Sequence, residues 1–226
     1  MHESAVVVAR GQGRIGELVL LRRSGGLEVV CDGTFLISSW NERSSRALVG
    51  AARPWLPPGP LEALIGGLGM GYALDEALDL PGLASVTVAE YEPLVVEWFD
   101  AHMRERASRV ERVARSRIVV ADVHDLLTAG TRYDLIALDT DNGPDWLVRP
   151  DNARLYAPAG VGLVAGALRP GGVAVFWSPE PSAEFEETAH RWFSRIEVTP
   201  ATDEVDGRAL EYAMYVCLEP LADPSA

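Results

Sequence analysis

Residues 61–93 read LEALIGGLGMGYALDEALDLPGLASVTVAEYEP. Leu61 to Gly66 is an apolar run of strand length that stops on glycine, and a helical pattern covers Met70 to Leu80. Between them Gly67, Gly69 and Gly71 alternate, which lets the backbone approach a ligand closely at the start of a helix. A second strand, Ser85 to Ala89, runs into Glu90 and Glu92, about twenty residues past the glycines, where a carboxylate can accept both hydroxyl protons of a ribose. Strand, glycine loop, helix, strand and acid in this order point to a doubly wound α/β sheet that binds a nucleoside. The spacing is G-x-G-x-G with Tyr72 next, whereas a dinucleotide fingerprint places its last glycine one position later, so NAD is disfavoured. A tight turn without a ligand is the plainer alternative.

Downstream the alternation continues. A helix is expected over Pro93–Arg106, strands over Arg117–Ala121 and Tyr133–Leu138, a helix over Val161–Leu168 and a strand over Val173–Trp177. Near-continuous apolar strands between helices imply a parallel sheet covered on both faces. A helix over Glu184–Phe193 and strands over Arg195–Thr199 and Glu211–Leu218 complete the chain. The strand ends carry acids: Asp122 follows the third strand, and the fourth runs into Asp139, Thr140, Asp141 and Asn142. Glycines, Glu90, Asp122 and Asp139 would thus share the carboxyl edge of the sheet, where open α/β folds bind ligands. Taken alone, Asp122 suits a helix cap equally well.

Upstream, Ser4–Ala9, Ile15–Arg22, Leu27–Cys31 and Thr34–Ser38 are short β-rich runs broken by glycine turns, which predicts two antiparallel hairpins. A helix beginning at Asn41 or Ser44 is closed by the prolines of Arg53 to Pro60. That stretch divides an N-terminal β-hairpin domain (1–53) from a Rossmann-like domain (54–226).

Composition narrows the chemistry. The chain of 226 residues has 48% hydrophobic and 23% charged residues and a net charge of -13, which suits a packed protein and opposes broad contact with nucleic acid or anionic membrane. All 20 basic residues are arginine, which removes Schiff-base chemistry and the P-loop lysine. Cys31 and Cys217, both in apolar surroundings, read as buried thiols. The four histidines have no ligand spacing. Asp139, Asp141 and Asn142 could together hold a magnesium-type ion, but a polar substrate loop explains the same residues, and no metal is assigned. The arginine-rich stretch 104–117 is interrupted by Glu105 and Glu111 and reads as a solvated helix face. With no apolar run of membrane-spanning length and no secretory signal, a cytoplasmic protein is expected.

The succession GGLGMG, AEYEP, Ala121-Asp122, LDTDNGP and Arg154-Leu155-Tyr156, preceded by LEVVCDGTFLISSWNE, resembles spermidine synthases and their relatives over about residues 27–180. The resemblance implies a small N-terminal β-sheet domain, a seven-stranded class I methyltransferase sheet and a homodimer. It also implies S-adenosylmethionine or its decarboxylated form as co-substrate. It matches Glu90 to the acid that holds the ribose, Asp122 to the acceptor of the adenine amino group, and Asp139 to the first aspartate of the D-S-x-D-P loop, a candidate base. Against it, Gly69 stands where the family's GGGDGG loop has aspartate, Leu36 or a neighbour where a glutamine is expected, and Ser45 where a tyrosine is expected. The nucleoside half of the site persists while the polyamine half has changed. Asp141, Asn142, Trp146, Tyr156 and Trp177 are the candidates for contacting a small acceptor, cationic in one version; for each aromatic alone, a place in the core or rim is the plainer reading. The expected function is alkylation of that acceptor, leaning to methyl transfer. The alternatives are aminopropyl transfer to a different amine, and nucleoside binding without catalysis.

Overall fold

The computed structural model describes residues 5–103, 114–140, 143, 147, 149–205 and 207–221. The first four strands, β1 (Val6–Gln12), β2 (Glu17–Arg23), β3 (Gly26–Cys31) and β4 (Thr34–Ser38), form an antiparallel sheet in chain order. Its β3–β4 turn is Asp32-Gly33, both with positive φ, the two-residue hairpin that matches strand twist. Leu18 and Leu20 of β2 alternate inward with Leu27 and Val29 of β3.

The second sheet has seven strands: β5 (Leu61–Gly66), β6 (Leu83–Glu90), β7 (Ser116–Val120), β8 (Tyr133–Leu138), β9 (Leu168–Ser178), β10 (Phe193–Val205) and β11 (Arg208–Pro220). Their order is β10-β11-β9-β8-β5-β6-β7. From β5 through β7 the chain moves outward, then returns to lay β8 parallel against the other side of β5. The reversal between β5 and β8 is a topological switch point and opens a crevice at the carboxyl edge. Successive residues of each strand point to opposite faces, so two cores result. Ala63, Ile65, Val86, Val88 and Leu135 face one, which they share with the inner residues of the N-terminal sheet. Leu64, Ala89, Ile136 and Leu138 face the other.

The helices are α1 (Glu42–Gly50), α2 (Tyr72–Leu78), α3 (Pro93–Trp98), α4 (Val123–Thr128), α5 (Ala153–Tyr156), α6 (Pro158–Gly166) and α7 (Ala183–Ala189). Several boundaries differ from the sequence pattern. The helix expected from Met70 begins at Tyr72, because Gly71 adopts φ 84° and cannot continue inward as helix. The helix expected from Val161 begins at Pro158, whose fixed φ suits a first helical position. The expected 93–106 helix runs as α3 and continues as a π-type turn over Phe99–Met103, and its remainder lies outside the described residues. The short helix α4 is the one that the capping reading of Asp122 allows for, while α5 has no counterpart in the sequence pattern. The two final strands each run 13 residues, more than twice the length of the expected Arg195–Thr199 segment, because they pair with one another beyond the edge of β9. Among the described residues no helix is long and apolar enough to cross a membrane.

Candidate active site

Gly67 leaves β5 with φ 93°, and a Cβ there would lie 2.0 Å from the carbonyl oxygen of Asp139. No side chain fits at that crossing of the β5 and β8 ends. Gly69 also has positive φ, but a Cβ there would meet nothing nearer than Ile37 Cγ2 at 3.7 Å. The loop is therefore closed by geometry at Gly67 and open toward the crevice at Gly69, while Gly71 stands behind it at the start of α2.

Glu90 ends β6 and is 8% exposed. One carboxylate oxygen accepts the Leu68 N–H at 2.8 Å and the other the Glu92 N–H at 2.8 Å, so the acid fixes both the glycine loop and the following turn. Burial raises its pKa, against the pull of these amides, and the neighbouring Glu92 adds to the rise. Glu92 is 2% exposed, and its Oε2 accepts the N–H groups of Arg14 at 2.6 Å and Ile15 at 3.3 Å. It thereby fastens the β1–β2 turn to the wall of the crevice.

Asp122 realises the capping alternative. Its Oδ1 accepts the His124 N–H at 3.0 Å at the start of α4. Its Oδ2 accepts from Arg149 Nη1 at 2.9 Å and from Arg154 Nη2 at 2.6 Å. Burial works to raise its pKa, but the His124 amide and then the two guanidinium groups outweigh it and hold the carboxyl below the ordinary aspartate value. The Arg149 guanidinium also lies 3.7 Å from the centre of the Tyr91 ring. The acid matched to the adenine amino group is thus already engaged by two cations, one of them stacked on the ring that follows Glu90.

Asp139 ends β8, its N–H bonded to the Gly66 carbonyl at 2.9 Å. Beyond it, Trp177 at the end of β9 stacks on Tyr212 of β11, ring centres 5.1 Å apart and planes inclined by 35°. Gly67, Gly69, Glu90, Asp122, Asp139 and Trp177 all line one cleft of about 320 Å³, within the range of roughly 300–1,000 Å³ usual for small-molecule sites. The N-terminal sheet supplies its roof through Phe35, Leu36 and Ile37. Leu36 (or a neighbour) and Ser45, which the resemblance sets against a glutamine and a tyrosine, are positions of this lining. Tyr156 does not line it. Its ring sits 6.3 Å from Phe176 and 5.9 Å from Phe185 in the second core. Asp141, Asn142 and Trp146 lie outside the described residues. Sequence reasoning gave no role in the cleft to Arg149, Tyr91, Asn41 or Tyr212: Tyr91 and Asn41 lie within AEYEP and LEVVCDGTFLISSWNE without an assigned part, Arg149 and Tyr212 lie in no motif, and each reaches the cleft from a separate element.

The fold matches that of known proteins. The polyamine aminopropyltransferase of Mycobacterium tuberculosis (strain CDC 1551 / Oshkosh) is 27% identical over 77% of this chain. That of Mycobacterium bovis (strain ATCC BAA-935 / AF2122/97) is equally similar. The crystal structure of spermidine synthase from Thermotoga maritima superposes with a TM-score of 0.77, at 18% identity, over 97% of this chain and 75% of that one. The chain is a distant relative of the polyamine aminopropyltransferases. It has the spermidine-synthase fold, a four-stranded N-terminal sheet joined to a seven-stranded sheet with helices. A spermidine synthase solved with the transition-state analogue AdoDATO superposes with a TM-score of 0.76, at 18% identity, over 97% of this chain and 74% of that one. The chain spans about a third of the length of the curated aminopropyltransferases, 33% of each. No family model matches it.

Proposed function

We propose that this protein is a transferase that uses a sulfonium nucleoside, S-adenosylmethionine in preference to its decarboxylated form, to methylate a small acceptor. The observation that carries this reading is the convergence of Gly67, Glu90 and Asp139, from the ends of the adjacent strands β5, β6 and β8, on one cleft at the switch point. Glu90 and the glycine loop would hold the nucleoside, and the open space at Gly69 supports the close approach of a ligand on that side of the loop. A sulfonium group supplies a carbon that is already electrophilic, so the protein's tasks are alignment and exclusion of water. Asp139 would bind the acceptor beside that carbon and take the proton that an amine or hydroxyl releases as its bond to carbon forms, while the carbon–sulfur bond breaks and its electron pair leaves on sulfur as the neutral thioether nucleoside. Gly69 favours the donor that keeps its α-carboxylate, because an aspartate there would repel that group and attract a lone ammonium.

Aminopropyl transfer to another amine is the second reading, favoured by the names of the relatives and by Asp139. Calorimetry with both nucleosides separates the two. S-adenosylmethionine should bind more tightly to the wild-type protein, and Gly69→Asp, a substitution with open space and a backbone that aspartate tolerates, should move the preference toward the decarboxylated form by about tenfold. Tighter binding of the decarboxylated form by the wild type would establish the second reading; binding of neither nucleoside would refute both. The homodimer implied by the resemblance belongs to the same proposal, and sedimentation tests it.

A further inference from the structure

Tyr212 has no part in the chemistry above, yet it lines the cleft. It precedes Ala213, which pairs with Ser178 at the end of β9. β11 lies two strands from β8, so Tyr212 stands about 10 Å from Asp139 across the sheet at the usual strand spacing. Contact with Trp177 fixes the plane of its ring. Its oxygen accepts a hydrogen bond from Asn41 Nδ2 at 2.7 Å. The orientation of Asn41 is set in turn, since its Oδ1 accepts from Ser38 Oγ at 2.5 Å, and that oxygen accepts the Trp40 N–H at 3.3 Å. The chain of bonds runs one way and leaves the phenolic O–H as a donor that meets no acceptor among the described residues. Burial first, then the negative charge of Asp203, keep that proton on the phenol against the opposing Asn41 bond.

Asp139 and Tyr212 therefore differ in kind. Asp139 offers a carboxylate to a cation, whereas Tyr212 offers a neutral proton with its oxygen already engaged. A second ammonium placed there would face two donors, while a hydroxyl or ether oxygen would complete the network. We propose that Tyr212, held by Asn41, is a specificity residue that donates its hydroxyl proton to an oxygen of the acceptor, so that the site selects amino alcohols or amino ethers over diamines of the same length. This inference rests on the sulfonium-transferase reading above and adds the substrate class.

The test is calorimetry on wild-type protein saturated with S-adenosylhomocysteine, titrated with three- to five-carbon aminoalkanols and with the matching diamines. The best-fitting aminoalkanol should bind about tenfold more tightly than its diamine, the worth of one buried hydrogen bond. Tyr212→Phe should abolish that preference by weakening the aminoalkanol alone. Asn41→Ala, which leaves the phenol unsteered, should reduce the preference by a smaller factor, and it serves as the test if the phenylalanine variant fails a thermal-melt check of folding. Equal or tighter binding of diamines, a preference that survives Tyr212→Phe, or no binding by any aminoalkanol to the nucleoside-loaded protein would overturn the inference alone. Failure of the wild type to bind S-adenosylhomocysteine at all would overturn the transferase reading and this inference with it.

Discussion

Glu90 and Asp122 are both acids at strand ends, but their surroundings drive them in opposite directions. Glu90 uses each oxygen for a backbone amide, so Glu90→Gln would turn an amide nitrogen toward an N–H already buried. The variant should lose roughly 1–3 kcal/mol in urea denaturation, the cost of one unsatisfied buried donor, and calorimetry should show at least about tenfold weaker nucleoside binding. The pKa of Glu90 is raised, so its contribution to stability is complete below the ordinary glutamate value and is lost as pH rises through the raised one. Asp122 is depressed; its contribution is complete above the ordinary aspartate value and is lost as pH falls through the lower one. Asp122→Asn keeps a capping oxygen but surrenders the charge, so it should flatten the acid limb of a stability–pH curve while leaving the limb above neutrality unchanged. An acid limb as steep as the wild type's would show that Arg149 and Arg154 do not stabilise the fold through this carboxylate.

At the level of elements, α1 shows what a linear reading sees and what it misses. Its extent is close to the expected one, and the prolines that end it are plain in the sequence. Its first amides, however, are not capped by a neighbour. The carboxylate of Asp203, on β10 and 1% exposed, accepts from Arg43 N at 2.8 Å and Ser44 N at 3.2 Å. Asp203→Ala should therefore destabilise the protein by about 1–2 kcal/mol, the usual worth of an N-cap, measurable as a lower urea midpoint with an unchanged slope. The same distinction governs the rest of the chain. The strands β5, β6 and β8, the Asp32-Gly33 turn and the register that aligns Gly67, Glu90 and Asp139 follow from periodicity and turn chemistry, which are local. Tyr156 sits in the core although it lies among motif residues, because aromatic clustering depends on Phe176 and Phe185, which its own neighbours in sequence do not announce. The engagement of Asp122 by Arg149 and Arg154 is likewise a meeting of residues some thirty positions apart.

Over the whole molecule, the two sheet faces and the N-terminal sheet leave both thiols inside. Cys217 is fully enclosed among strands and Cys31 nearly so, and burial raises the pKa of each. A thiol reagent should modify neither in the native protein within minutes and both after unfolding in urea; rapid native labelling of Cys31 would mean that the N-terminal sheet opens independently of the rest. That question bears on the cleft, because Glu92 belongs to its wall and also binds the backbone of the β1–β2 turn. One side chain thus rivets canopy to foundation. A chimera carrying a foreign amino-terminal cap would inherit an enclosed anion with its mates removed, so the two portions must be exchanged, or evolve, as a matched set.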